Sequence, residues 1–399
     1  MIKFALRPNL IYILQLIIWN LFRKIDRIVM NEALDFDHSS IFTSLMFLGD
    51  ILSGVILYKY QERFLATNNN HNNPSHFMNI ILRTNTNKIT PPDSEIKIYT
   101  LIFFSSFFDF IEFTLSVSYL PKFVNLSSSL QSRLSGILTI SSALFFYYVL
   151  KLQIYKHQFF SLLIIGICLI IVIISEFLFQ NFSDKINIFL PTTYFILALV
   201  TIFFIHFFNS LLDSIEKYLF EYDFFSPFKT LMWEGIFGLC ITMIYYFIES
   251  PLDYFILYYE QKGWIKFTIL IFLLFLYIIL CGGRNAFRVI TNKIYSPMAK
   301  TLTDYILNPF YHIYDFFRGN DFLINGSMKY FYFILNLILS FIITICGCIY
   351  NEFIVLFFWK LEYDTHDQVT KRAKSAMIIQ DACSSLSEEE IIGSSINSL

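Results

Sequence analysis

Lys300, Asp304, Asn308 and His312 follow one another at strides of four, which lines them along one face of a helix. Their flanks are apolar, and a charge held inside a bilayer is costly unless it is paired or faces water. Ser296-Pro297 opens the segment with a capping residue and a proline in the first turn, and Pro309 predicts a kink beside the stripe. Such a stripe suits a wet cavity that binds a polar solute; the alternative is a Lys300 and Asp304 pair sealed between helices for packing alone. Ser105, Asp109, Glu112 and Ser116 repeat the pattern. Two acids one turn apart repel when both are ionised, so one is expected to be protonated or paired. Gln131, Arg133, Ser135 and Gly136 bring a second intramembrane base, and His206, Asn209, Asp213 and Glu216 share a further face. The last two are expected to reach cytoplasmic water, and His206 reads as a packing residue. Gly49-Asp50 and Glu234-Gly235 each set an acid beside a glycine, the residue that lets neighbouring helices approach closely.

The elements that position these residues follow from composition. Of 399 residues, 56% are hydrophobic and 15% charged, including 48 Phe and 25 Tyr, and mean hydropathy is +0.58. A water-soluble domain carries about 25% charged residues, so a soluble enzyme or a nucleic-acid binder is excluded. The net charge of −2 offers no basic field for nucleic acid. A membrane span needs roughly 20 apolar residues with every backbone polar group paired internally. Ten segments qualify, near 9–30, 40–59, 98–120, 125–150, 157–178, 193–218, 228–248, 266–290, 294–316 and 330–354. The chain is therefore expected to be an all-α polytopic membrane protein. Residues 61–97, with Asn68-Asn69-Asn70-His71-Asn72-Asn73, read as a flexible cytoplasmic loop, and 361–399 as a disordered cytoplasmic tail.

Lys and Arg concentrate on one side when both termini are cytoplasmic, with Arg284, Arg288 and Lys293 counted at the cytoplasmic flank of the 266–290 span. The glycosylation triplets beginning at Asn181 and Asn325 then fall on the opposite side. No paired His/Glu zinc signature, phosphate-cradling loop or nucleophile elbow occurs, so neither enzyme activity, a metal nor a cofactor is expected. Gly282-Gly283-Arg284 reads as a break near the cytoplasmic end of its helix, and the cysteines as small apolar residues.

Ten spans divide into two sets of five, and an odd number per set puts the halves, 1–178 and 193–354, in opposite orientations. Arg133 and Lys300 are then matched bases, and Asp50 and Glu234 matched acids. Met46-Phe47-Leu48-Gly49-Asp50 after Phe36-Asp37-His38, Glu216-Lys217-Tyr218 leading to Trp233-Glu234-Gly235-Ile236-Phe237-Gly238, Lys151 to Gly166 with His157-Gln158, and Gly347 through Tyr350-Asn351-Glu352 together resemble the drug/metabolite transporter (EamA-like) superfamily. The nearest likeness is to the F-type branch of solute carrier family 35, related to the nucleotide-sugar transporters. Departures are Gln131-Ser132-Arg133, with one residue between Gln and Arg where the family has two, Leu307 in place of an arginine, and Asp50 in place of a glutamate. The resemblance implies a secondary transporter with two inverted five-helix repeats, working by alternating access on a small solute. Arg133, Lys300, Asp304, Asn308, Gln131 and Asn209 are the expected solute-binding residues; Asp109, Glu112, Glu234 and Asp50 are expected to couple protons or gate. An anionic solute of nucleotide-sugar or metabolite type, a cationic or zwitterionic solute carried against protons, and a non-transporting membrane scaffold are the three readings. The expected partners are the solute, the lipid bilayer, protons and a second copy in a homodimer, in an endomembrane of Golgi or endolysosomal type rather than the plasma membrane.

Topology is testable directly. Tags at both termini should be cytoplasmic, and any glycan should sit on Asn181 or Asn325; digestion of a terminal tag from the lumenal side alone would reject the assignment.

Overall fold

The computed structural model describes residues 21, 34–36, 39–68, 95–120, 130–131, 133–151, 153–181, 192–223, 225–249, 251–294, 302, 308–310, 312–313, 316–317, 327–352, 354, 356, 368 and 372. Among them the chain is helical and no strand occurs. The helices are α1 (Ser39–Asn68), α2 (Glu95–Thr114), α3 (Gly136–Tyr148), α4 (Lys156–Asn181), α5 (Thr192–Glu221), α6 (Pro227–Glu249), α7 (Pro251–Ile294) and α8 (Ser327–Tyr350). A π-helical turn, Leu115–Tyr119, continues α2.

Among the described residues, six helical stretches are long and apolar enough to cross a membrane: Ser40–Arg63, Glu95–Tyr119, Lys156–Leu178, Phe195–Glu221, Asp253–Lys293 and Tyr330–Tyr350. This is the construction an integral membrane protein requires, since a helix pairs its own backbone groups where no water can. Large apolar side chains such as Ile170, Phe203, Phe272 and Ile338 point outward. Polar residues, among them Asp50, Ser105, Asp213 and Asn292, turn inward. The expected 9–30 and 294–316 spans fall largely outside the described residues, as do most of the Asn-rich loop and of the tail.

Local signals explain several boundaries. Ser226 caps α6: its Oγ accepts the Lys229 N–H at 3.5 Å, and Pro227 occupies the first turn. Gln158 reaches back from α4 so that its Oε1 accepts the Tyr155 N–H at 3.1 Å. Three boundaries differ from expectation. α1 runs on to Asn68, into the expected loop. Residues 251–262 are helical too, joined to the spanning part of α7 through Gly263, whose φ of 78° suits glycine. α7 does not break at Gly282-Gly283 but continues to Ile294.

Gly282 instead permits a close crossing with Gly49. A Cβ on Gly49 would lie 2.5 Å from the Ile278 carbonyl oxygen and 2.9 Å from the Gly282 nitrogen. On α6, a Cβ on Gly235 would stand 2.8 Å from both the Phe47 oxygen and the Ile51 nitrogen. α1 is thus clamped between α6 and α7, with its Asp50 beside the tightest contacts.

Side-chain contacts fix the helix directions. α4 and α8 are antiparallel, because Glu176 meets Tyr332 at one end and Gln158 Nε2 donates to the Tyr350 oxygen, 3.5 Å away, at the other. α3 and α5 are parallel: Ser210 Oγ donates to the Leu138 oxygen (3.2 Å) and the Tyr222 hydroxyl to the Leu150 oxygen (2.9 Å). α2 opposes α5 through Lys97 with Tyr218 and Phe108 with Phe208, and runs with α6 through Tyr99 with Trp233 and Phe103 with Phe237. Phe42 with Tyr277 and Asp50 with Asn285 set α1 parallel to α7. From α1 to α7 the helices alternate in direction along the chain, and α8 runs in the same direction as α7.

Gly235→Ala should cost about 1–3 kcal/mol, because its new methyl meets backbone that cannot rotate away. Gly166→Ala, whose Cβ would meet only Ile140 Cδ1 at 3.9 Å, should be neutral. Thermal unfolding of the two variants in detergent checks the contrast.

Candidate functional site

Where α2, α5, α6 and α7 converge, one guanidinium holds three acids. Arg288 Nη1 is 3.2 Å from Asp109 Oδ2; its Nη2 is 3.2 Å from Glu234 Oε2 and 2.9 Å from Glu216 Oε1. All four residues are buried. Neutral donors hold the other oxygens of two acids. Ser105 Oγ donates to Glu234 Oε1 at 2.6 Å, and Asn292 Nδ2 donates to Glu216 Oε2 at 2.5 Å and to Asp213 Oδ1 at 3.2 Å. Ser106 Oγ donates to the Glu234 backbone oxygen at 2.7 Å, tying α2 to α6 at the same level.

One turn away along α7, Asn285 Nδ2 donates to both Asp50 oxygens at 2.8 and 3.0 Å, and Arg284 Nε donates to Asn285 Oδ1 at 2.9 Å. Toward the end of the bundle, Lys217 Nζ donates to the Asn292 backbone oxygen at 3.1 Å and pairs with the more exposed Glu221 at 2.7 Å. Polar contacts therefore run from Glu221 at the surface to Lys217 and the Asn292 backbone, and from the Asn292 side chain through Glu216 to Arg288, Glu234 and Asp109.

A second ionic group lies near the other end. Arg133 pairs with Glu176 and donates to the Tyr332 hydroxyl, which in turn donates to Glu176. The guanidinium carbon is 5.3 Å from the Tyr332 ring centroid. On α4, Glu176 stands about 27 Å of helix rise from Gln158 at the opposite end.

The expected site residues distribute as follows. Asp109 and Glu234 meet at Arg288, with Asp50 close by on Asn285. Glu112 and Asn209 are half-buried on α2 and α5, and Gln131 Nε2 donates to Ser116 Oγ at 3.4 Å. Asn308 is buried and donates to Ser135 Oγ at 3.1 Å. Lys300, Asp304 and Asn325 lie outside the described residues, and Asn181 ends α4.

Two expectations are corrected. Asp213 and Glu216 do not reach cytoplasmic water; both are fully buried, because α7 continues past residue 290 and packs its polar stripe against them. For the same reason Arg288 is not a flanking charge but 6% exposed inside the bundle. Asn285, Arg288 and Asn292, spaced three and four apart amid apolar neighbours, are the signal that marks this stripe. Glu176 was also missed: past the first turn of α4 it is the helix's only charged residue.

No protein-family model matches the chain, and no curated protein matches it.

Arg288→Ala should strand three buried acids at a cost of about 3–5 kcal/mol. Lys262→Ala, which breaks the exposed pair with Asp35, should leave stability unmoved. Midpoints of thermal unfolding in detergent, measured side by side, give the comparison.

Proposed function

We propose that the chain is a secondary transporter of a small organic solute, working by alternating access between two inverted five-helix halves, rather than an enzyme. The observation that carries this reading is the polar chain from Glu221 to the Arg288 cluster. A buried ionic network joined to one surface by polar contacts is costly for packing alone and suited to passing a charged species.

The expected exchange of halves maps α1 onto α6, α2 onto α7 and α4 onto α8, and the packing respects it. The α1 with α6 and α4 with α8 contacts are each their own image. The α1 with α7 contact is the image of the α6 with α2 contact, and both pairs run parallel. Asp50 beside Gly49 takes neutral donors from α7, while Glu234 beside Gly235 takes one from α2. Ten spans and an internal repeat account for this correspondence economically.

Charge balance favours one class of solute. Among the described residues, seven buried acids (Asp50, Asp109, Glu176, Asp213, Glu216, Asp223, Glu234) stand against three buried Lys and Arg side chains (Arg133, Lys217, Arg288). Each of the three is engaged by an acid. A cationic or zwitterionic solute exchanged for protons fits this excess better than an anion does, and such an exchange suits an acidic endomembrane compartment.

Counterflow into proteoliposomes with pooled metabolites, with and without a pH gradient, tests the proposal. Gradient-dependent exchange of a cationic or zwitterionic solute, lost in Glu234→Gln, is expected. Exchange of an anion that Arg133→Ala abolishes would favour the nucleotide-sugar type, and no exchange of any solute would leave the scaffold reading.

A further inference from the structure

Three acids from three helices meet around one base, and the base uses its donors sparingly. Arg288 touches each carboxylate through a single oxygen, shares Nη2 between Glu216 and Glu234, and keeps a buried Nε that no acceptor meets. The fork geometry that makes an Arg–carboxylate pair strong is not formed. Two of the three acids are pre-positioned independently of the guanidinium. Ser105 holds the far oxygen of Glu234 and Asn292 that of Glu216, so their oxygens facing Arg288 would keep their places if it left. A landing place for the displaced side chain is close: Asp50 takes both of its hydrogen bonds from the neutral Asn285 amide, one turn before Arg288 on the same helix.

We propose that Asp109, Glu216 and Glu234 form the binding site for the positive headgroup of the solute, and that Arg288 is a tethered occupant which the solute displaces toward Asp50. This rests on the transport reading. Three oxygens converging on one small cation demand N–H donors aimed in several directions, so the headgroup is a guanidinium or a primary ammonium. A quaternary ammonium, with no N–H, is excluded. Displacement leaves the network's charge to be reset by the cation that arrives.

Thermal stabilisation of purified protein by ethylguanidinium or ethylammonium, with tetramethylammonium chloride as the ionic-strength control, tests the site without requiring transport. Wild type should respond only weakly because its own arginine competes. Arg288→Gln should bind both probes saturably and about tenfold or more tightly than wild type, equal to about 1.4 kcal/mol per tenfold. Tetramethylammonium should do nothing, and adding Glu216→Gln or Glu234→Gln should abolish the response. Arg288→Lys, which retains the charge, provides a folded alternative should Arg288→Gln fail to fold; its shorter, weaker competitor should raise probe affinity over wild type. Probe affinities unchanged in the folded variants, or tetramethylammonium binding as well as ethylguanidinium, would overturn the proposal. Probe binding with no uptake of any cation would keep the site and remove the transport reading. Cation uptake undiminished by Glu216→Gln and Glu234→Gln would do the reverse.

Discussion

The structure depends on keeping an acid-rich cluster buried around Arg288. In a medium of low polarisability, several carboxylates close together repel strongly, and each pays for the water it has lost. One guanidinium cannot neutralise three of them. The surrounding helices supply neutral donors instead, Ser105 from α2 and Asn292 from α7, so that charge is held by dipoles as well as by its counter-ion. Because the acids come from α2, α5 and α6 and the base from α7, moving any of these helices changes the electrostatic energy of all four. That coupling is what a bundle needs if a charge entering at one end is to be felt as motion.

Close backbone packing makes the cluster rigid on one side. Gly49 against Gly282 and Gly235 against α1 hold α1, α6 and α7 nearly in backbone contact, which sets Asp50 and Glu234 at a fixed separation from α7. The opposite side is built differently. Arg133, Glu176 and Tyr332 tie the start of the α3 segment to α4 and α8 with few polar atoms, amid a core of Leu134, Ile165, Leu169, Leu339 and Ile343. Two ionic ties thus lie near opposite ends, separated by apolar packing.

Helical, membrane-spanning architecture was legible from the residues alone, because continuous apolar runs of span length admit no other structure in lipid. The sequence also marked Asp50, Asp109, Glu234 and Arg133 as residues needing partners, since an ionisable group amid Phe, Ile and Leu stands out in one dimension. The identity of those partners emerges from the packing of distant helices. Arg288 is 179 residues from Asp109 and 54 from Glu234, and hydropathy assigned it to a flank because a polar stripe lowers the average near the end of α7. Likewise, Glu176 gains its partners only because α8 and the start of the α3 segment bring Tyr332 and Arg133 against it. Periodicity shows which face of a helix is polar, but which helix covers that face is settled by packing between distant segments, where shape, glycine contacts and charge compensation act together.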